Sequence, residues 1–387
     1  MQSKIEIKIF IVIIFLLLIS PLFRIDNDEF LFSENRALAV LHPLFNTKDK
    51  TFNSRFSIEF NSWLEDRFWG RKQLMNLNRY LKYYIGSHFV RSNIKSSKSI
   101  DDLMIDKKSK FLYRHVYNES FDNDTINEIN NQLNKFSEYC ESRNIKLFLV
   151  ILPLNKILYP PDFTQYGYRK RFDETILKIG GNNFTVVRPT ENLLKAKEKS
   201  PYLLFYKPDP HFTMDGTYIS YRLLMEAMKN KYPNLKISKE DDFDYIVTKN
   251  VDYLGIPNDE VFMPCDFISI PDAACGEYYD TYYRYYVHKD NKSLNIVYSD
   301  KDKDIEVFNY PKGYNLRVMI FGDSFVASLK QIIPYSFRDT AIIRPVRFSD
   351  FKLIKYYEDE INEFHPDVLV IYLNYFTMGK LVNLMSR

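Results

Sequence analysis

The chain has 387 residues, a formal net charge of +3 at pH 7, 16% aromatic residues and only 11 glycines. A chain of this length can bury a large core, and the length indicates one large domain or two. The near balance of charge, with no block of lysine and arginine, argues against a nucleic-acid-binding protein. The aromatic content argues against a disordered or linker-rich protein.

The N-terminal segment differs from the rest of the chain. Lys4 and Lys8 precede an uncharged apolar run over residues 9–23. This is the pattern of a targeting segment with a positive start and an apolar centre. The run is shorter than the roughly 20 residues of a bilayer span, which favours a cleaved signal peptide, but it is not followed by a small-x-small cleavage site. We predict an uncleaved anchor over residues 1–25, with a signal peptide as the alternative, and in both cases a body outside the cytoplasm.

The three cysteines fit an oxidising compartment. Cys265 and Cys275 lie close together across a proline-containing loop, so we predict that they can form a local disulfide. Cys140 falls inside a predicted helix and is expected to be a buried thiol. Since no cysteine and histidine cluster has zinc-site spacing, we expect no structural metal, and nothing in the sequence calls for a cofactor.

Helix and strand patterns alternate from about residue 125 onwards. Residues 125–143 carry an amphipathic helical stripe, with Asp124 or Thr125 as the predicted N-cap. Residues 146–153 form a continuous apolar run, typical of a strand buried on both faces in a parallel sheet. Further strands are predicted at 184–187, 202–206, 317–321, 341–343 and 367–373, and further helices at 171–179, 191–199, 215–231, 326–333 and 353–364. This alternation predicts an α/β domain with a central, mainly parallel sheet.

We therefore expect three parts in the chain. The anchor is followed by residues 26–124, a helical and extended segment with an amphipathic helix over residues 56–84, which packs on the main domain. Residues 125–387 form the main domain. The stretch from about 236 to 312 interrupts the alternation, so we interpret it as an inserted region.

Ser324 lies in a turn between a strand pattern and a helix pattern, in the sequence Gly322-Asp323-Ser324-Phe325. A serine on such a turn has an exposed hydroxyl and backbone N–H groups nearby, as an acyl-transfer nucleophile requires. Gly322 is expected to permit the tight turn. The same residues also occur in ordinary β-turns, so the motif needs partners before it indicates catalysis.

A serine nucleophile needs a base and an orienting carboxylate. Among the six histidines, His211 lies in a predicted strand-to-helix loop with Asp209 two residues before it. The alternative interpretation is a turn-capping aspartate and a surface histidine. Active sites of α/β folds gather at the carboxyl ends of the strands, so we expect the loops of His211 and Ser324 to meet there.

Five ordered motifs carry a resemblance to a known family. They are Glu34, Asn35, Arg36, Leu38, Ala39 and Pro43; Asp66, Phe68 and Arg71 before Gly86; Pro153, Asn155, Lys156, Tyr159 and Pro160; Asp209, His211, Phe212, Thr213 and Gly216; and Gly322, Asp323, Ser324 and Phe325. In order and spacing, over roughly residues 30–380, they resemble the alginate O-acetyltransferase family of AlgX/AlgJ type. The chain departs from that family at Phe212, where tryptophan is usual, and in lacking a glycine-rich turn before residue 110.

The resemblance implies an SGNH-hydrolase-like catalytic domain of three α/β/α layers, with Asp209, His211 and Ser324 as a catalytic triad. It implies acetylation of polysaccharide hydroxyls in the bacterial periplasm, with acetyl groups supplied by a membrane-bound O-acyltransferase of the MBOAT class at the inner membrane. By analogy with the SGNH asparagine, Asn374 is a candidate second oxyanion donor beside the Ser324 N–H.

The inserted region carries candidate substrate contacts at Tyr278, Tyr279, Tyr282 and Tyr283. Tyrosine suits sugar rings because it offers an apolar face and a polar tip, although packing within the protein is the alternative. Two other functions stay open at this point. The same triad would serve a polysaccharide or peptidoglycan O-acetylesterase with water as the acceptor, and a scaffold of an export complex would need no triad.

Overall fold

The computed structural model describes residues 30–31, 36–37, 39–46, 51–67, 103–105, 111–114, 121–160, 177–181, 183–207, 211–248, 282–300, 303–344 and 352–385. The chain divides into two compact units, one of residues 1–101 with 263–277 and one of residues 102–262 with 278–387. The predicted anchor lies outside the described residues. Among the helices that are described, none has the length and apolar character to cross a bilayer.

The first unit is described as short strands and one helix. Its elements are β1 (Phe30–Leu31), β2 (Arg36–Ala37), β3 (Phe45–Asn46), β4 (Thr51–Phe52) and α1 (Phe56–Arg67). Strand β1 pairs with β2 and β3 with β4, both antiparallel. Helix α1 begins where the amphipathic helix was predicted, and the rest of that prediction lies outside the described residues.

The second unit contains the alternating helices and strands. They are β5 (Leu103–Ile105), β6 (Leu112–Arg114), α2 (Asn123–Glu141), β7 (Lys146–Leu152), α3 (Asn155–Leu158), β8 (Thr185–Val187), α4 (Thr190–Lys197), α5 (Met214–Lys229), β9 (Phe243–Thr248), β10 (Tyr283–His288), β11 (Asn295–Asp300), β12 (Ile305–Asn309), β13 (Tyr314–Gly322), α6 (Val326–Leu329), β14 (Phe337–Ile343), α7 (Leu353–Phe364) and β15 (Val368–Asn374). A 3₁₀ helix, Tyr375–Asn383, follows β15.

Seven of the described strands form one sheet, in the order β11-β12-β14-β13-β15-β7-β8. Strands β14, β13, β15, β7 and β8 are parallel to one another. Strands β12 and β11 extend the sheet beyond β14, and each is antiparallel to the strand before it in the sheet. The prediction of an α/β domain with a mainly parallel sheet is confirmed. Within the region predicted to be an insertion, β9 and β10 pair as a separate antiparallel ribbon.

Helices cover both faces of this sheet. Alternate residues of β7 enter two different cores: Phe148 and Val150 pack with the buried faces of α4 and α5, whereas Leu147 and Leu149 pack with those of α2 and α7. A strand with apolar partners on both sides must be apolar at every position. This explains the continuous apolar run that predicted β7.

Three local predictions were wrong. The N-cap of α2 is Asp122, whose carboxylate accepts a hydrogen bond from the Thr125 N–H at 2.7 Å, so Asp124 falls in the first helical turn instead. The strand predicted at 202–206 is only an isolated bridge between Phe205 and Phe212. The helix predicted over 326–333 ends at Leu329 and is followed by a 3₁₀ turn, Ile333–Ser336, which contains a proline.

Candidate active site

The candidate site lies at the carboxyl edge of the main sheet. Strand β13 ends at Gly322, which is level with Tyr372 of β15, and Asn374 at the end of β15 is level with Leu152 of β7. The Ser324 turn, Asn374 and the segment after β7 therefore leave the sheet at one edge. Parallel α/β sheets place their ligand sites at this edge.

His211 and Ser324 meet there, although 113 residues separate them in the sequence. The distance from His211 Nε2 to Ser324 Oγ is 2.5 Å. The His211 ring also packs against Phe325, with 4.9 Å between ring centroids. Both side chains are half-buried. A ring nitrogen within hydrogen-bond reach of a serine hydroxyl is the geometry of a base and its nucleophile.

Asp209, the predicted orienting carboxylate, lies outside the described residues, as do residues 208 and 210. The loop that carries it is described on both sides. The Tyr206 N–H donates to the His211 carbonyl at 3.1 Å, and the Thr213 N–H donates to the Leu204 carbonyl at 3.1 Å. Residues 204–206 and 211–213 are thus paired immediately before α5, and Thr213 is the N-cap of that helix.

Asp323 is a fully buried residue of the serine turn. Its Oδ1 accepts a hydrogen bond from the Phe325 N–H at 3.0 Å. Its Oδ2 accepts from the Asn374 N–H and from the Thr377 hydroxyl, each at 2.7 Å. Burial raises the pKa of the Asp323 carboxyl, against the effect of these three donors. The hydrogen bonds of Asp323 therefore connect the Ser324 turn to the end of β15.

Gly322 is required for a different reason from the one predicted. Its backbone does not adopt the left-handed φ that favours glycine, but a Cβ at this position would lie 2.6 Å from the Tyr372 carbonyl oxygen and 2.0 Å from a Val326 methyl group. The chain therefore needs glycine because β15 and the start of α6 approach too closely for a side chain.

Asn374 caps the 3₁₀ helix that follows β15. Its Oδ1 accepts a hydrogen bond from the Thr377 N–H at 3.1 Å, while its backbone N–H is bound to Asp323. Sequence reasoning singled out Asn374 but missed Thr377, which contacts both Asn374 and Asp323. The signal that was available is the spacing of a cap, with a hydroxyl residue three positions after the asparagine.

The tyrosine candidates fall into different environments. Tyr278 and Tyr279 lie outside the described residues. Tyr282 is 55% exposed, whereas Tyr283 is only 2% exposed and packs its ring on Tyr206. Of the two described candidates, Tyr282 is therefore the one that a bulky ligand can reach.

The cysteines are partly described. Cys265 and Cys275, the disulfide candidates, lie outside the described residues. Cys140 is a buried free cysteine in α2, as predicted, and burial raises the pKa of its thiol to about 12.

A further polar cluster near the start of α5 was not predicted. The buried carboxylate of Asp215 forms an ion pair with Arg284 of β10 and accepts a hydrogen bond from the Tyr286 hydroxyl at 3.1 Å. Asp215 raises the pKa of the Arg284 guanidinium against the effect of its burial. This cluster joins the β9–β10 ribbon to the helix that begins beside His211. No local sequence pattern marks it, because its members lie about 70 positions apart.

No protein-family model and no curated protein matches the chain. Solved structures do. Bacillus cereus PatB1 is 16% identical, with a TM-score of 0.54 over 72% of this chain and 98% of PatB1. A second structure of PatB1, with a sulfonyl adduct, has a TM-score of 0.53 at 14% identity and covers 73% of this chain and 97% of that chain. The O-acetyltransferase domain of Pseudomonas putida AlgJ is 13% identical, with a TM-score of 0.44 over 72% of this chain and 92% of that one. The fold assignment rests on the two PatB1 structures: this chain has the α/β fold of Bacillus cereus PatB1.

Proposed function

We propose that the protein is an O-acetyltransferase that transfers acetyl groups to hydroxyls of a secreted or cell-surface polysaccharide. The observation that carries the proposal is the 2.5 Å contact between His211 Nε2 and Ser324 Oγ at the carboxyl edge of the sheet. The motif resemblance to the AlgX/AlgJ type supports the same class of chemistry, and the fold shared with PatB1 fits the α/β domain that this resemblance implies.

In the first half-reaction, His211 Nε2 takes the proton of the Ser324 hydroxyl while Oγ attacks the acetyl carbonyl. The tetrahedral intermediate expels the donor's leaving group, which receives the proton from His211, and acetyl-Ser324 remains. In the second half, His211 removes the proton of a sugar hydroxyl, whose oxygen attacks the acetyl carbonyl. Ser324 Oγ then leaves and receives this proton from His211. Asp209 would hold the other ring nitrogen and stabilise the imidazolium.

Two groups are candidates for stabilising the negative charge on the intermediate. The Phe325 N–H is already bound to Asp323, so the Ser324 N–H is the proposed backbone donor of this turn. The Asn374 side chain uses its Oδ1 to cap the following helix, which leaves Nδ2 as the end that can donate to the acetyl oxygen. Tyr282, with Tyr278 and Tyr279, is proposed to contact the sugar acceptor.

The resemblance also supplies the proposed setting. The catalytic body would face the bacterial periplasm, held at the inner membrane by residues 1–25 or released after their cleavage. An MBOAT-type acyltransferase would deliver acetyl groups across the membrane. No cofactor is needed for the two half-reactions, because each is a proton transfer coupled to attack on an ester.

The test uses purified protein with p-nitrophenyl acetate and an acceptor oligosaccharide. We expect acetylated oligosaccharide, and a loss of roughly 10³-fold or more in rate for Ser324→Ala and for His211→Ala. Ser299→Ala, at an exposed serine on β11, is the matched control and should retain the wild-type rate. Free acetate without acetylated sugar would show an esterase instead. Unchanged polysaccharide acetylation in cells carrying Ser324→Ala would indicate a scaffold.

A further inference from the structure

We infer that Tyr159 and Tyr283 are positioning residues, whose hydroxyls hold residues 203–207, and through them His211, in place beside Ser324. The sequence alone gives neither tyrosine this role: Tyr159 belongs to a motif of the resemblance without an assigned function, and Tyr283 is a candidate sugar contact because of the chemistry of tyrosine. The expected effect on catalysis rests on the proposed function, whereas the hydrogen bonds of the two tyrosines are independent of it.

The described part of the loop consists of two paired arms. Residues 203–207 form the first arm and residues 211–213 the second, joined by the Phe205 to Phe212 bridge. The Thr213 hydroxyl reinforces this pairing by donating to the Leu203 carbonyl at 2.7 Å. Because the second arm carries His211, any displacement of the first arm also displaces the imidazole.

Tyr159 binds the first arm from one side. It follows α3, and its hydroxyl accepts a hydrogen bond from the Leu204 N–H at 3.0 Å. The ring is fixed by Phe111, stacked at 4.4 Å, and by the Lys197 ammonium, 4.7 Å from the ring centroid. Burial raises the pKa of the Tyr159 hydroxyl, so it stays neutral and keeps its hydrogen-bonding capacity.

Tyr283 binds the same arm three residues further on. It lies at the start of β10, and its hydroxyl accepts a hydrogen bond from the Lys207 N–H at 3.3 Å. Its ring meets Tyr206 edge-on, with 4.8 Å between centroids. Because the side chain is almost completely buried, its hydroxyl binds the loop and is shielded from a polymeric substrate.

Two hydroxyls from separate elements thus accept hydrogen bonds from two N–H groups of one arm. The hydrogen bonds at positions 204 and 207 restrain the arm at two points. Removing one hydroxyl leaves a backbone donor without that acceptor, and the loop must shift to find water or another partner. A shift of about 1 Å at a catalytic group can cost on the order of 10²-fold in rate.

The experiment compares Tyr159→Phe, Tyr283→Phe and the double variant in the full-length protein. Each substitution keeps the ring and removes only the hydroxyl. Tyr218→Phe is the matched control: Tyr218 is a buried tyrosine of α5 whose hydroxyl donates to the Ser238 carbonyl at 3.1 Å, a group outside the loop. Hydrogen exchange by mass spectrometry follows the amides of residues 203–207. Sulfonyl fluoride labelling of Ser324 gives a maximal rate and an apparent affinity.

We expect the 203–207 amides to exchange roughly 10-fold faster or more in both Phe variants than in Tyr218→Phe. The maximal labelling rate should fall roughly 10- to 100-fold while the apparent affinity stays within about twofold. A partly unfolded sample would lower the amplitude of labelling and leave its rate unchanged. The inference is overturned for either tyrosine whose variant exchanges like the control. If wild-type Ser324 is not labelled, the proposed function fails, and the exchange measurement still decides the role of the two hydroxyls.

Discussion

The Asp323 carboxylate shows how one residue sets the position of another. It joins the Phe325 N–H of its own turn to two groups beyond the end of β15, the Asn374 N–H and the Thr377 hydroxyl. In Asp323→Asn one acceptor oxygen becomes an NH₂ group that must face a donor. We expect the free energy of unfolding to fall by about 1–3 kcal/mol, measured by urea denaturation, and Ser324 labelling to slow.

Thr377 supplies the control for Asp323→Asn. Thr377→Ser keeps the hydroxyl and should stay close to the wild type, whereas Thr377→Val removes one of the three donors and should cost about 1 kcal/mol. A denaturation curve for Asp323→Asn that overlays the wild type would contradict the anchoring role.

The sequence placed Asp323 in a turn motif but did not reveal its partners. Two of the three donors lie 51 and 54 positions away, and their approach depends on β15 pairing beside β13. The same limit applies to the pair His211 and Ser324. Each residue could be selected from its local pattern, but their 2.5 Å contact could not be predicted, because it depends on how the fold brings the two loops together.

At the scale of structural elements, α5 lies close against the loop before it at Gly216. A Cβ there would lie 2.3 Å from the Leu204 carbonyl oxygen. At an ordinary helix position, Gly→Ala stabilises by about 0.5–1 kcal/mol. For Gly216→Ala we expect the opposite, a loss of about 1–3 kcal/mol with slower Ser324 labelling, because backbone must move against backbone. Thermal unfolding and labelling rates measure the two effects.

Gly180→Ala is the matched control for this prediction. A Cβ at Gly180 meets nothing within 4 Å, and its φ is compatible with alanine. This variant should be at least as stable as the wild type. Equal or higher stability of Gly216→Ala would show that the loop yields to the added methyl group.

Element prediction succeeded where the local pattern agrees with the final packing. Helix α7 occupies Leu353–Phe364 as predicted, since its apolar stripe faces the core. It failed at the loop of His211, where apolar residues at 202–206 suggested a strand. Those residues are buried by tertiary contacts, including the bridge of Phe205 to Phe212. A short run of apolar residues does not by itself distinguish a sheet strand from a buried loop.

For the whole molecule, the alternation of helix and strand predicted the class of fold, and continuous apolar runs predicted doubly buried strands. The strand order could not be predicted from the same patterns. Strand β15 inserts between β13 and β7, although β7 precedes both by more than 160 residues. Such an order depends on crossover connections, which no single segment encodes.

Lys156 connects the stability of the whole fold to pH. Its side chain is 2% exposed in α3, beside the carboxyl edge of the sheet, and burial lowers the pKa of its ammonium to about 7. The unfolded chain keeps the ordinary pKa of about 10.5. Between these two values the unfolded state binds the additional proton, so stability rises with pH, by at most ~1.4 kcal/mol per pH unit.

Below pH 7 both states carry the proton on Lys156, and the folded state bears the full cost of the buried charge. We therefore expect Lys156→Met to unfold at a higher temperature than the wild type at pH 6, and this difference to shrink steadily towards pH 10. Thermal unfolding at pH 6, 8 and 10 measures it. Lys199→Met removes an exposed lysine after α4 and should leave the difference from the wild type constant across this range. Parallel curves for Lys156→Met and the wild type would show that the folded state keeps this ammonium charged throughout, because its surroundings stabilise the charge as well as water does.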